Sequence, residues 1–370
     1  MRVLFAATPL IGHLFPMLPL ARCLRDRGHE VLVASGGAAV AAVTGDIDAV
    51  DIAPSIGNVR AVVRGLGPHP VLAARSVAGR ADPRGGAHVF AVTNKPMIAP
   101  LTRTAERFQP DLVVHEPFAA AAAIAAARIG VPAVLHNIAL DNGTLIRREL
   151  LRLLCGRDEP AAAATLSVAP PSIASVPGWP LQYTPYAPSG APVPPIFRDP
   201  PVRPRIVVTR STMLGDGPDA MLRSVLRAAP QVDADIVIVR PNRAIARSSR
   251  RLPRNVHTVG WIALHHVLPT CTAMVDHGGA GSVLAALCAG IPQLATPAPG
   301  DRRWNAESVE SRGAGLSVPA SKITAAHLNT LITDASLTRS AQAVAAEIAA
   351  MPTVEDTADR LLAAYDATRA

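Results

Sequence analysis

A proline-dense stretch, PPSIASVPGWPLQYTPYAPSGAPVPPIFRDPPVRP from Pro170 to Pro204, divides this chain into two halves. Proline fixes φ and removes a backbone donor, so such a run sustains neither a helix nor a central strand and reads as a linker. The same alternation of apolar runs and helical segments stands on both sides of it. In the first half RVLFAATP reads as a buried strand, LIGHLFPMLPLARCLRDRG turns into an amphipathic helix ending at Gly28, and HEVLVAS is the next strand. PDLVVHEP, the alanine-rich helix FAAAAAIAAARIG and VPAVLHN repeat the unit. After the linker come RIVVTRS, a helix near Asp219 to Ala229, DADIVIVR, NVHTVG, TAMVDH and PQLATP. Strand–helix–strand alternation with short links predicts a parallel sheet covered by helices in each half. Ligands of such sheets bind beyond the carboxyl ends of the strands, so two facing sheets make a cleft. The closing VEDTADRLLAAYDATRA predicts an amphipathic helix able to pack on either half.

A chain of 370 residues, 49% hydrophobic, is long enough for two cores of this kind. Cys23, Cys155, Cys271 and Cys288 show no metal-ligand spacing and lie in apolar surroundings, which reads as buried, reduced thiols and points to the cytosol. Pro9, Pro16, Pro19 and His13 break any continuous apolar helix at the N-terminus, so a strand, loop and helix fit better there than a signal peptide. No uninterrupted apolar run reaches membrane-spanning length. The net charge of +8 is nearly all arginine. With aromatics at 3%, the basic run RAIARSSRRLPRN reads as a solvated helix face, and a nucleic-acid partner is not expected.

The most informative short stretch is DHGGAGS, Asp276 to Ser282, between a strand and a helix. Gly279-Ala280-Gly281 begins a dinucleotide-type pattern, and Asp301 lies at a tempting distance, but Leu284 occupies the place of the third glycine. A Walker loop is excluded for want of its lysine. Two DxD triplets, Asp46 to Asp48 and Asp233 to Asp235, sit beside short apolar runs and read as turns rather than metal ligands. What remains is a metal-free diphosphate site. A helix N-terminus offers free N–H groups and a positive dipole end, glycines let backbone approach phosphate oxygens, Ser282 adds a hydroxyl and His277 an N–H. A satisfied core histidine is the plain alternative for His277.

The stretch VGWIALHHVLPTCTAMVDHGGAGSVLAALCAGIPQLATPAPGDRRWNAESVESRGAG resembles the donor-site signature of GT-B fold glycosyltransferases, in particular the actinobacterial enzymes that glycosylate macrolides, enediynes and aromatic polyketides. PLIGHLFPMLPLARCLRDRGHEV resembles the acceptor-side opening of that family, and the proline-rich linker its interdomain segment. The resemblance implies an α/β GT-B fold of two Rossmann-like domains: 1–183 for the acceptor, a linker over 184–203, 204–350 for the donor, and a closing helix over 351–370. It implies an inverting, metal-independent transfer of a deoxysugar from a nucleotide diphosphate donor, dTDP- or UDP-linked, to a lipophilic aglycone, with no cofactor, by a cytoplasmic monomer or homodimer. By position, Trp261 would stack on the nucleobase and the Ile262 backbone groups would meet its edge. His277, Gly279, Ala280, Gly281 and Ser282 would hold the diphosphate, with Ser211 and Thr212 nearby. Asp301 would bind sugar hydroxyls. Two departures stand out: Asp276 replaces the first of two histidines, and Arg302 follows Asp301 where glutamine is usual.

The resemblance also makes His13 the general base, with Glu116 at the end of PDLVVHE as its orienting acid. A surface carboxylate is the plain alternative for Glu116. The segment from Ile56 to Thr93 is glycine-, arginine- and proline-rich and weakly periodic, and is expected to supply loops over the acceptor, near Phe90 and Asn94. A catalytically silent helper protein and a sugar-nucleotide epimerase on the same fold are the competing functions.

Overall fold

The computed structural model describes residues 1–43, 47–53, 57–78, 82–141, 143–156, 162–188, 190–211, 219–247 and 252–367. Two parallel sheets organise them. The first runs in the order β3-β2-β1-β4-β5-β6-β7, with β1 Arg2–Ala6, β2 Glu30–Ser35, β3 Asp48–Asp51, β4 Leu112–His115, β5 Ala133–His136, β6 Ala164–Ser167 and β7 Trp179–Pro180. The second runs β10-β9-β8-β11-β12-β13, with β8 Arg205–Thr209, β9 Asp235–Val239, β10 Val256–Val259, β11 Ala273–Asp276, β12 Gln293–Ala295 and β13 Gly315–Ser317. Both orders reverse direction beside the first strand of their half, which is where doubly wound sheets open a ligand crevice.

The central strands are continuous apolar runs because helices cover both faces. Val3 and Phe5 face one core with Leu18, Leu24 and Val114, while Leu4 and Ala6 face another with Met97, Leu101 and Ala125. The proline-rich stretch is partly sheet: Trp179–Pro180 adds an edge strand, where a missing N–H costs least.

The segment expected to form loops over the acceptor is helical where it is described. Helices span Asn58–Leu66, Pro70–Val77 and Pro83–Phe108. Asp82 caps the last, accepting from the Arg84 N–H at 2.9 Å, with Pro83 in the first turn where its missing donor is harmless. Pro96 and Pro100 lie inside that helix, which hid it from a pattern reading. Gly65 explains part of the local glycine content: a Cβ there would stand 2.6 Å from Val89 Cα, so glycine lets the first and third of these helices cross in backbone contact.

The two halves share packing. Leu181 and Tyr183 from the connecting segment, and Leu284, Val344 and Leu361 from the second half, belong to one core with Val33 and Val114. The final helix, Val354–Ala367, lies against the first half: Arg27 Nη1 pairs with Asp359 at 2.7 Å, and the Tyr365 hydroxyl donates to Asp111 at 2.9 Å.

Candidate active site

At the carboxyl end of the first sheet, β1 and β4 are neighbours and bring Thr8 and Glu116 together across 108 residues of sequence. Glu116 is fully buried, not a surface carboxylate. Its Oε1 accepts from the Thr8 N–H at 3.0 Å and the Thr8 hydroxyl at 2.9 Å, and its Oε2 accepts from the Phe118 N–H at 2.7 Å. Burial alone would raise its pKa, but the His13 ring and these donors outweigh that and hold it below the usual carboxylate range.

His13 follows on a short helix, Ile11–Leu14, with its Nδ1 2.9 Å from Thr8 Oγ1 and 3.4 Å from Glu116 Oε1. A hydroxyl has one proton to give. Since Thr8 gives it to Glu116, its oxygen accepts from Nδ1–H of His13. This relay fixes the tautomer and leaves the Nε2 lone pair available. Phe90 stacks on the ring at 5.4 Å between centroids, and Phe118 tilts against it at 4.8 Å.

Phe90 lies beside His13, and Asn94 stands four residues further along the same helix. It is fully buried, its Nδ2 donating to the carbonyls of Phe90 at 2.9 Å and Phe118 at 2.7 Å, its Oδ1 accepting from the Ala121 N–H at 2.9 Å. Both its donors and one acceptor lone pair go to backbone, so it braces the backbone of the two phenylalanines that flank His13.

In the second half, Ala280–Ala289 forms a helix whose N-cap, Gly279, offers no side-chain acceptor. The first-turn N–H groups of Ala280 and Gly281 therefore have no capping side chain to accept from them. His277 sits before them, its Nδ1 buried without a partner among the described residues. Burial, then the charge of Arg302, lower its pKa to about 3, so the ring is neutral. Asp276 is fully buried with its pKa raised to about 7 by burial. Trp261 is 40% exposed, free to stack, whereas Ile262 is buried beside it. Ser211 is buried just beyond β8, and Thr212 lies outside the described residues. Ser282 and Gly281 open the helix, and Asp301 and Arg302 start the next one, Arg302–Ser311.

Three polar residues at this site escaped the sequence reading: Thr8, Asn305 and Asp141. Asp141, in the turn after β5, has its pKa raised to about 6 by burial and then by Asp301, with His13 opposing. Position after a strand was the available signal for Thr8 and Asp141, and a four-residue helical step from Asp301 for Asn305. Asp233 precedes β9 and Asp235 opens it, where the sequence suggested a turn, and both pair with Arg203.

Residues 22–211 match the N-terminal domain, and residues 223–364 the C-terminal domain, of the family described as Erythromycin biosynthesis protein CIII-like. The elloramycin glycosyltransferase ElmGT of Streptomyces olivaceus is 36% identical over 99% of this chain and 98% of its own. The crystal structure of the glycosyltransferase SnogD from Streptomyces nogalater superposes with a TM-score of 0.78 at 33% identity, covering 98% of this chain and 99% of that one. The spinosyn rhamnosyltransferase SpnG, solved with thymidine diphosphate and with spinosyn aglycone, superposes at TM-scores of 0.80 and 0.81 with 25% and 26% identity, over 98% of this chain and 100% of that one. Matches that run through both sheets and the segment between them make this chain a GT-B fold glycosyltransferase of the Erythromycin biosynthesis protein CIII-like family.

Proposed function

We propose that the chain is an inverting, metal-independent glycosyltransferase that moves a deoxysugar from a dTDP donor to a hydroxyl of a lipophilic natural-product aglycone. The observation that carries this reading is the His13–Thr8–Glu116 relay, which leaves one imidazole nitrogen basic and backs the other with a buried carboxylate. The aglycone hydroxyl gives its proton to His13 Nε2 as its oxygen attacks the anomeric carbon. The bond from that carbon to the diphosphate oxygen breaks on the opposite face, inverting the centre, and the diphosphate leaves with the electron pair. Glu116, through Thr8, stabilises the imidazolium that forms.

The leaving charge needs preorganised donors, and three kinds are present: the helix N–H groups of Ala280 and Gly281, the His277 ring and the Arg302 guanidinium. Trp261 is exposed enough to take a thymine face. The lipophilic side is served by Phe90 and Phe118 around His13. Relatives crystallised with thymidine diphosphate and with an aglycone support the same pair of substrates for this chain.

The test is a thermal-shift panel of dTDP, UDP, GDP and NAD followed by transfer assays. Saturating dTDP is expected to raise Tm, since a ligand at a hundredfold excess over Kd adds about 2.7 kcal/mol. His13→Ala is expected to keep that shift while losing transfer to an aglycone. Stabilisation by NAD alone, or full turnover without His13, overturns the reading. Donor loss independent of any aglycone would instead identify an epimerase.

A further inference from the structure

The glycine turn and Asp301 are not independent parts. Gly278 adopts φ +74°, a conformation that favours glycine, and a Cβ there would stand 2.8 Å from the Arg302 carbonyl oxygen and 3.0 Å from that of Thr296. Both polar groups of its backbone are taken by side chains. Its N–H donates to Asp276 Oδ1 at 2.6 Å, and its carbonyl accepts from Asn305 Nδ2 at 2.9 Å. The second proton of the same Asn305 amide goes to Asp301 Oδ2 at 2.9 Å. Asn305 is fully buried, and its Oδ1 has no partner among the described residues, so its orientation is set by the two bonds it donates.

We propose that Asn305 is a positioning residue that ties the diphosphate turn to Asp301 and thereby governs how the enzyme recognises the donor's sugar. This rests on the assignment of Asp276 to Ser282 and Asp301 to the donor site above. Asn305 touches no substrate. It fixes one carboxylate oxygen of Asp301, leaving the other to accept from a sugar hydroxyl or ammonium group. It fixes that oxygen relative to the turn that holds the diphosphate. The distance between the phosphate and sugar contacts is then a built-in ruler. Arg302 starts the same helix turn and moves with it. A sugar lacking the group that Asp301 reaches gains nothing from the ruler.

The experiment compares the affinities of dTDP, dTDP-glucose and dTDP-rhamnose for wild type, Asn305→Ala and Asn305→Ser. Asn305→Ser is the smaller perturbation should the alanine variant fold poorly. Asp301→Ala and the double variant complete a cycle. Loss of Asn305 is expected to change dTDP affinity by less than twofold. It should reduce the extra affinity contributed by the preferred sugar about tenfold and flatten the preference between the two donors. In the Asp301→Ala background the same change should do little, because the group it positions is absent. If dTDP and both dTDP-sugars weaken in parallel, or if the two changes are additive, Asn305 is merely structural and the proposal falls. Wild-type protein that binds none of the three overturns the donor assignment itself, a distinct failure.

Discussion

Two strand ends at corresponding places in the two sheets carry a buried carboxylic acid, and their surroundings shift the two acids in opposite directions. β4 lies beside β1 on the side away from β2, and β11 lies beside β8 on the side away from β9. Glu116 follows β4 and Asp276 ends β11, and neither is exposed. Three donors and an adjacent imidazole keep Glu116 ionised. Asp276 has a single donor, the Gly278 N–H, and an Oδ2 without a partner among the described residues, so burial holds a proton on it up to about pH 7. Burial is common to both. The His13 ring and the additional donors decide the direction in which each acid is shifted. Under the proposed function each shift suits its place: a base that becomes a cation gains from an anion behind it, whereas a diphosphate site is better with a neutral floor.

Breaking the first side of this comparison should have the largest effect. Glu116→Gln keeps shape but puts an amide NH2 among converging donors and removes the charge behind His13. Turnover is expected to fall by about 10²–10⁴-fold, with a stability loss of about 2–4 kcal/mol, measured by steady-state transfer and denaturant unfolding. Retained turnover would detach Glu116 from the chemistry.

Asp276→Asn sharpens the other side. The raised pKa means the folded chain keeps a proton that the unfolded chain releases at about pH 4, so stability is lost as pH climbs from there to about 7. The amide escapes that penalty. Its gain in stability over wild type should be larger at pH 8 than at pH 5 by about 3 kcal/mol, two pH units at about 1.4 kcal/mol each. A pH-independent difference would show that Asp276 is ionised in the fold.

Thr8→Val tests whether the relay matters beyond the acid. The direct His13–Glu116 approach of 3.4 Å survives, so the expected loss is smaller, about tenfold in kcat with KM unchanged. Thr8→Ser should restore most of it. The smallest effect is expected from Trp261→Ala. Stacking on a base is worth about 1–3 kcal/mol, so dTDP affinity should drop about fivefold at the lower end, with Tm unaltered because the ring is already 40% exposed.

These pairs also mark what a sequence can disclose. The sheets were legible because their strands are short apolar runs stopped by turn residues, and the glycine turn because its composition is rare between a strand and a helix. His13 and Glu116 were legible through resemblance. Thr8 was not: a threonine after a strand is ordinary, and its meaning arises when β1 and β4 meet across a long excursion of chain. Asn305 was hidden for the same reason, since its partner Gly278 lies 27 residues away. The three backbone groups that bond Asn94 were likewise invisible, since two of them, on Phe118 and Ala121, come from another part of the chain. The long helix Pro83–Phe108 violated local propensity at Pro96 and Pro100, and tertiary packing prevailed.

The final helix has a mechanical consequence. The chain passes from the first half to the second through the proline-rich segment and then returns, so that Arg27 and Asp111 grip Asp359 and Tyr365. A body joined to another by two straps can swing about the line between them but resists twisting or sliding. The two straps, together with the core that the halves share, hold the two strand-end regions in register. Cutting the second strap would leave every group of the site intact while freeing the halves to misalign.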